Sequence, residues 1–158
     1  MVSWWRRQRL KVTLSRSSSP NLYRSFLDQL LLRNSQNPNI VAAFNTNLRF
    51  YDNALEFAHS VASYMTAALD KGAGVILFPE YFGNLLMGIA GEPIDLDDPS
   101  TLELLSMISP ILYSTYVDIF SQISAKTDAT IVAGTLAFVE NGKLVNRTFV
   151  FRRGNVIL

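Results

Sequence analysis

The stretch that decides the fold is Gly74-Val-Ile-Leu-Phe-Pro-Glu-Tyr-Phe-Gly83, in which an apolar run ends at Pro79 and a carboxylate, Glu80, follows at once. A residue before proline is held extended and proline lacks the N–H of a sheet ladder, so a buried strand should end here. A second apolar run lies at 40–44, and residues 52–72 between the two runs have helical apolar spacing with a glycine stop. Two buried strands joined by one long helix should pair in parallel.

This arrangement places Glu80 at the carboxyl end of a parallel strand, the edge at which open α/β sheets bind ligands. A carboxylate in that position can act as a catalytic acid or base. The alternative interpretation is an ordinary charged strand end that meets solvent.

Composition indicates one core-rich domain. The chain has 158 residues, of which 49% are apolar and 17% charged, enough for one sizeable core but not for two comfortable domains. No apolar run approaches the roughly 18 to 20 residues needed to cross a bilayer. We therefore expect a cytoplasmic protein without a membrane segment.

Several kinds of site are excluded or disfavoured by the residue types present. The chain contains no cysteine, which excludes disulfides, thiolate metal sites and a cysteine nucleophile within these residues. His59 is the only histidine, and its helical position favours a boundary residue over a base. The cluster Asp95, Asp97 and Asp98 misses calcium-loop spacing, and no glycine-rich phosphate loop is present. We expect no metal and no cofactor.

The N-terminal part differs in charge from the rest of the chain. Residues 1–27 contain six basic residues and no acidic one, whereas the remainder holds eight basic against thirteen acidic. This basic, Ser-rich start is predicted to be a disordered, solvated tail rather than a nucleic-acid or membrane patch. Trp4 and Trp5 fit the same interpretation, although they could also touch a membrane surface or a partner.

A short amphipathic helix is predicted over about 20–33, followed by a polar, turn-prone linker at 34–39. We therefore divide the chain into residues 1–38, a basic tail with a short helix and linker, and residues 39–158, the main domain. We expect neither nucleic acid nor membrane among its partners.

Downstream, Ser100 and Glu103 fit a capping box that opens a helix ending near Lys126, and Pro110 is predicted to divide it. A third strand is predicted at 129–133.

The last part of the chain has the pattern of a β-hairpin. Segments 136–140 and 144–151 flank Asn141-Gly142, two residues that tolerate the positive φ of a tight primed turn. Residues 156–158 then have the pattern of a further strand.

Two parts of the sequence resemble the nitrilase, or carbon–nitrogen hydrolase, superfamily. Ala73-Gly-Val-Ile-Leu-Phe-Pro-Glu80, after a strand and a capped helix, is similar to the family's first catalytic-glutamate motif. Three later segments resemble the strand and hairpin that precede the family's catalytic lysine. They are Ala129-Thr-Ile-Val-Ala-Gly-Thr135, Asn141-Gly-Lys-Leu-Val-Asn146 and Phe149-Val-Phe-Arg-Arg-Gly154. Glu80-Tyr-Phe and Phe151-Arg-Arg-Gly154 are similar to the amidohydrolase branch sometimes fused to an acetyltransferase domain.

The resemblance spans about residues 39–158 and implies an α/β fold that forms the N-terminal half of an α-β-β-α sandwich. In that family a Glu, a Lys and a Cys hydrolyse an amide or nitrile, and Glu80 matches the Glu, the general base. The implied substrate is a small amide or nitrile, and the implied assembly is a homo-oligomer or a pairing with a partner chain.

The other two catalytic groups have no match here. The chain lacks cysteine, and Lys71, Lys126 and Lys143 do not fit the lysine motif. We therefore expect a partial domain that is inactive alone, and no substrate-binding residue is identified. The alternative is a non-catalytic remnant or interaction module that pairs with another subunit.

Overall fold

A computed structural model describes residues 3–34, 37–46, 49–91 and 100–158. The fold is α/β, as predicted. Its elements in chain order are α1 (Trp4–Ser17), α2 (Pro20–Gln29), β1 (Asn37–Ala43), α3 (Ala54–Leu69), β2 (Ala73–Leu77), a 3₁₀ segment (Phe82–Ala90), α4 (Thr101–Ser124), β3 (Thr130–Glu140), β4 (Lys143–Arg152) and β5 (Asn155–Val156).

The strands form one sheet in the order β1-β2-β3-β4-β5. β2 pairs in parallel with β1 and with β3, which confirms the predicted crossover through α3. β3 and β4 form the predicted antiparallel hairpin, and β5 adds antiparallel to β4.

The two faces of the sheet are in different environments. Ile76, Ile131 and Phe151 are neighbours across three strands and all are fully buried. Phe151 stacks on Phe120 of α4, with 5.5 Å between ring centroids, so this face carries the helices. The alternate positions form an open sheet face whose side chains are exposed on β1 and partly buried on β2, β3 and β4: Val41, Ala43, Val75, Leu77, Val132 and Val150.

Aromatic side chains fill the core between the sheet and the helices. Phe78 and Phe82 lie 4.7 Å apart between ring centroids, and Tyr116 and Phe120 lie 4.8 Å apart. The Tyr116 hydroxyl donates to the Ala133 carbonyl at 2.6 Å, which gives the buried phenol a partner. Burying each such ring stabilises the fold by about 2–3 kcal/mol.

The prediction of a disordered N-terminal tail was wrong. Ser3 caps α1 by accepting a hydrogen bond from the Arg6 N–H, and Leu10 and Leu14, one turn apart, are buried in the main core. Because the residues around these two leucines are mostly basic or polar, composition alone indicated a solvated tail. The domain division at residue 38 stays a prediction, although α1 and α2 share the core of the main domain.

The prediction that Pro110 divides the helical region was also wrong, because α4 continues through it. Buried side chains recur on one face before and after the proline, including Leu105, Ile108, Leu112 and Tyr116. This shared burial outweighs the roughly 3 kcal/mol that an interior proline costs. α4 has the length and hydropathy of a membrane-spanning helix, but half of its apolar window is buried in the core.

Other boundaries shifted by a few residues. α2 ends at Gln29 instead of 33. Asn53 caps α3 by accepting a hydrogen bond from the Glu56 N–H at 3.0 Å. Residues 129–133 and 136–140 belong to one strand, β3, whose register shifts between Val132 and Thr135. Asn141 and Gly142 both adopt positive φ, 52° and 74°, as the hairpin turn requires.

Candidate active site

Glu80 lies at the carboxyl end of β2, where the sequence predicted it. The Phe78 N–H donates to the Val132 carbonyl at 2.9 Å, and Pro79 then has no N–H with which to continue the ladder. The chain therefore leaves the sheet at this point, and the Glu80 side chain is exposed.

A side chain from β4 reaches the Glu80 carboxylate. The Asn146 amide nitrogen donates to Glu80 Oε1 at 3.2 Å. Asn146 pairs with Ala137 of β3, so the long hairpin carries it to the same end of the sheet as Glu80. In the sequence Asn146 appeared only as part of the hairpin motif, because nothing local indicates which strand position faces Glu80.

The backbone directly after Glu80 is strained. Tyr81 has φ 60° and ψ 13°, in the left-handed region that costs a residue with a side chain about 1–2 kcal/mol. Its N–H donates to Thr135 Oγ1 of β3 at 2.7 Å. This bond holds the turn that directs the chain from Glu80 into the 3₁₀ segment.

Two further contacts fix this connection to β3. Gly134 has φ 78°, and a Cβ there would overlap the Pro79 carbonyl oxygen, so glycine is required for the close approach. Asn84 Oδ1 accepts a hydrogen bond from the Ala137 N–H at 2.8 Å. Glu80 is thus flanked on both sides by backbone that β3 holds in place.

An apolar pocket of about 360 Å³ lies near the Glu80–Asn146 pair, although neither of these two side chains lines it. Tyr81, next to Glu80, and Ala137, opposite Asn146, both line it. Its full lining is Phe50, Tyr81, Asn84, Met87, Leu105, Ala137 and Leu144. The pocket can hold an apolar group close to the residues that follow Glu80 and face Asn146.

Lys71, Lys126 and His59 lie in other surroundings, whereas Lys143 is on the same hairpin as Asn146, where it is exposed and pairs with Glu140 beside the turn. Lys71 follows α3 near the start of β2, at the opposite end of that strand from Glu80. The Lys126 ammonium donates to the Asp28 carbonyl at 3.3 Å. His59 is exposed and packs on the Phe26 ring at 3.8 Å between centroids, which supports its interpretation as a boundary residue.

Asp95, Asp97 and Asp98 lie outside the described residues. Across the described ranges, no three acidic or histidine side chains group as metal ligands. The expectation that no metal takes part stays a prediction.

No protein-family model matches the chain, and no solved structure matches it. The chain is similar to a curated protein, the probable hydrolase YhcX of Bacillus subtilis (strain 168), with 28% identity over 102 residues. These residues are 65% of this chain but 18% of the length of that relative.

Proposed function

We propose that this chain is part of a hydrolase that cleaves a carbon–nitrogen bond of a small amide or nitrile, with Glu80 as general base. The observation that carries the proposal is the placement of Glu80: exposed at the carboxyl end of a parallel strand, hydrogen-bonded by Asn146, and near an apolar pocket. The similarity to a probable hydrolase supports hydrolysis. The choice of a carbon–nitrogen bond rests on the motif around Glu80.

For an amide, the Glu80 carboxylate takes the proton of an attacking thiol and passes it to the leaving nitrogen as the C–N bond breaks and a thioester forms. The carboxylate then takes a proton from the water that attacks the thioester and returns it to the departing thiolate, which releases the acid and regenerates the thiol. A nitrile would first add the thiol to give a thioimidate, and one further water would convert this to the same thioester with release of ammonia. Asn146 donates to Oε1, so Oε2 is the oxygen that would face the reacting groups. The pocket beside Tyr81 would take the apolar part of the substrate.

The thiol and the cation that stabilises the oxyanion are not supplied by these residues. The sequence has no cysteine, and Lys71 and Lys126 lie in other surroundings. Lys143 is exposed beside the hairpin turn, opposite Glu140, and does not match the family's lysine motif. A second subunit or a further part of the protein would have to bring both groups to Glu80. We therefore expect the 158-residue chain alone to have no hydrolase activity.

The second candidate is a non-catalytic interaction module, and the open sheet face is the observation that favours it. Strands β1, β2, β3 and β4 present aliphatic side chains on this face, and such a surface is suited to packing against another sheet. Both candidates need a partner surface, but only the first needs Glu80.

The test begins with the protein purified from its source. Its intact mass is compared with 17.7 kDa, and ammonia release is assayed on a panel of small aliphatic and aromatic amides and nitriles. Turnover by the native protein, with none by the isolated 158-residue chain, supports the proposal. Turnover by the isolated chain, or none by the native protein on any member of the panel, contradicts it.

A further inference from the structure

Helix α1 is attached to the domain along one side. Leu10 and Leu14 are 1% and 2% exposed and belong to the core. Arg7, on the same side of the helix, pairs with Glu103 of α4. The opposite side of α1 therefore faces outward as a fixed surface.

The outward side carries large apolar groups. Trp4 and Trp5 are 61% and 77% exposed, and their rings meet edge to face at 4.6 Å between centroids. Val12, 53% exposed, continues the strip two turns along. The two indoles and the valine are exposed on a helix that is held against the domain. Such an exposed apolar surface indicates a site that binds a membrane or another molecule.

Cations flank this strip on both sides. At 3.6 residues per turn, Lys11 lies on one side of the apolar strip and Arg9 and Arg16 on the other. All three are exposed, and α1 contains no acidic residue. The chain outside residues 1–27 has an excess of acidic over basic residues, so attraction to an anionic surface is concentrated here.

We propose that this face of α1, formed by Trp4, Trp5, Val12, Arg9, Lys11 and Arg16, docks the protein onto an anionic lipid surface. Indole rings settle at the headgroup level of a bilayer, and lysine and arginine beside them attract anionic headgroups. Nucleic acid would also attract the cations, but it offers no apolar phase for the two indoles and Val12. The inference is independent of the activity proposed for Glu80, and it replaces the expectation of no membrane partner, which rested on a disordered tail.

Trp4 and Trp5 are the only tryptophans among these 158 residues, so the fluorescence shift that is lost in the variant Trp4→Ala, Trp5→Ala reports on this face. The native protein is titrated with vesicles of phosphatidylcholine, with and without phosphatidylglycerol, in about 0.1 M salt. Binding is measured in parallel by vesicle flotation, which separates bound protein from sedimenting aggregates. We expect a blue shift and flotation with the anionic vesicles only.

The combined variant Arg9→Gln, Lys11→Gln, Arg16→Gln should bind about 100-fold more weakly, since each cation near an anionic surface contributes about fivefold. The matched control Lys71→Gln, Lys143→Gln, Arg152→Gln removes three exposed cations elsewhere and should bind like the wild type. The variant Trp4→Ala, Trp5→Ala tests the indoles by flotation. Circular dichroism checks that each variant keeps its helix content.

The proposal is overturned by any of three results. The first is the absence of a blue shift and flotation with anionic vesicles. The second is equal weakening by the control variant. The third is tighter binding, at the same salt, to a short DNA duplex than to the vesicles, which would identify the face as a nucleic-acid surface.

Discussion

The Asn146 amide nitrogen lies 3.2 Å from Glu80 Oε1, although 66 residues separate the two positions in the chain. The contact exists because β3 and β4 form a long hairpin whose register brings Asn146 opposite Ala137. Asn146 therefore orients the carboxylate that we propose as general base. It is a positioning residue, since it acts through Glu80.

Replacing Asn146 with alanine should lower kcat of the native protein about 5- to 10-fold, because an unoriented carboxylate spends less time facing the nucleophile. The free energy of unfolding should change by less than about 0.5 kcal/mol, since the side chain is exposed. Ammonia-release kinetics and urea unfolding measure the two effects. Asn155→Ala, at an exposed asparagine of β5, is the control, and a kcat loss equal to that control would remove the positioning role.

Gly134 should tolerate no side chain. Alanine there would combine the strain of a left-handed conformation with overlap of the Pro79 carbonyl oxygen, and we expect a loss of about 3 kcal/mol or more in unfolding free energy. Gly142→Ala is the matched control: φ is 74° there too, but nothing lies within 4 Å of the added Cβ. It should lose only about 1 kcal/mol.

Urea unfolding midpoints compare these two glycine variants. If Gly134→Ala is no less stable than Gly142→Ala, then β3 and Pro79 are not in the close contact described here. Loss of that contact would also leave the backbone before Glu80 without its support.

Stability should decline at alkaline pH because two buried phenols resist ionisation. Burial raises the pKa of Tyr116 well above its usual value of 10.0, and burial together with the hydrogen bond to Asp118 raises the pKa of Tyr23. Below pH 10 both phenols are protonated in the folded and unfolded states. Above pH 10 only the unfolded state releases these protons, so the folded state loses about 1.4 kcal/mol per pH unit for each phenol.

Substituting both phenols tests this linkage. The variant Tyr23→Phe, Tyr116→Phe should be less stable at pH 7, by about 1–2 kcal/mol for the lost Tyr116 hydrogen bond alone. Its unfolding free energy should also fall less steeply between pH 10 and 12. Urea unfolding across this pH range measures the slope, and an unchanged slope in the variant would contradict the assignment.

The open sheet face should make the isolated chain self-associate. Val132 and Val150 are paired neighbours on this face, and replacing Val132 with glutamate should raise the monomer fraction by placing a charge in the centre of the apolar surface. Val156→Glu, at an exposed residue of β5, is the control. Analytical ultracentrifugation measures the distribution, and a wild-type chain that is monomeric at all concentrations would contradict the expectation.

The strand ending at Glu80 and the Asn141-Gly142 turn could be predicted because local chemistry determines both. Proline removes a ladder N–H at a fixed place, and few residue pairs accept two consecutive positive φ values. α1 and the unbroken α4 could not be predicted in this way. In both helices, burial against distant residues outweighs what the local composition or the proline favours.

The same distinction between local signals and distant contacts applies to the candidate site. Glu80 was found from its position after an apolar run, whereas Asn146 and the left-handed Tyr81 depend on strand register and on contacts with β3. Neither has a sequence signal of its own. Pocket-lining residues such as Phe50 and Leu144 were missed because they come from separate segments of the chain.

The central claim is that Glu80 is the general base, and the most direct test is the ratio of kcat/KM between the native protein and its Glu80→Gln variant in ammonia release. Glutamine keeps the size of the side chain but cannot accept the proton, so we predict a loss of about 100-fold or more. Glu140→Gln, at an exposed carboxylate paired with Arg147 on the same hairpin, should retain wild-type turnover. If Glu80→Gln turns over like Glu140→Gln, Glu80 is not the base and the account of the site is wrong.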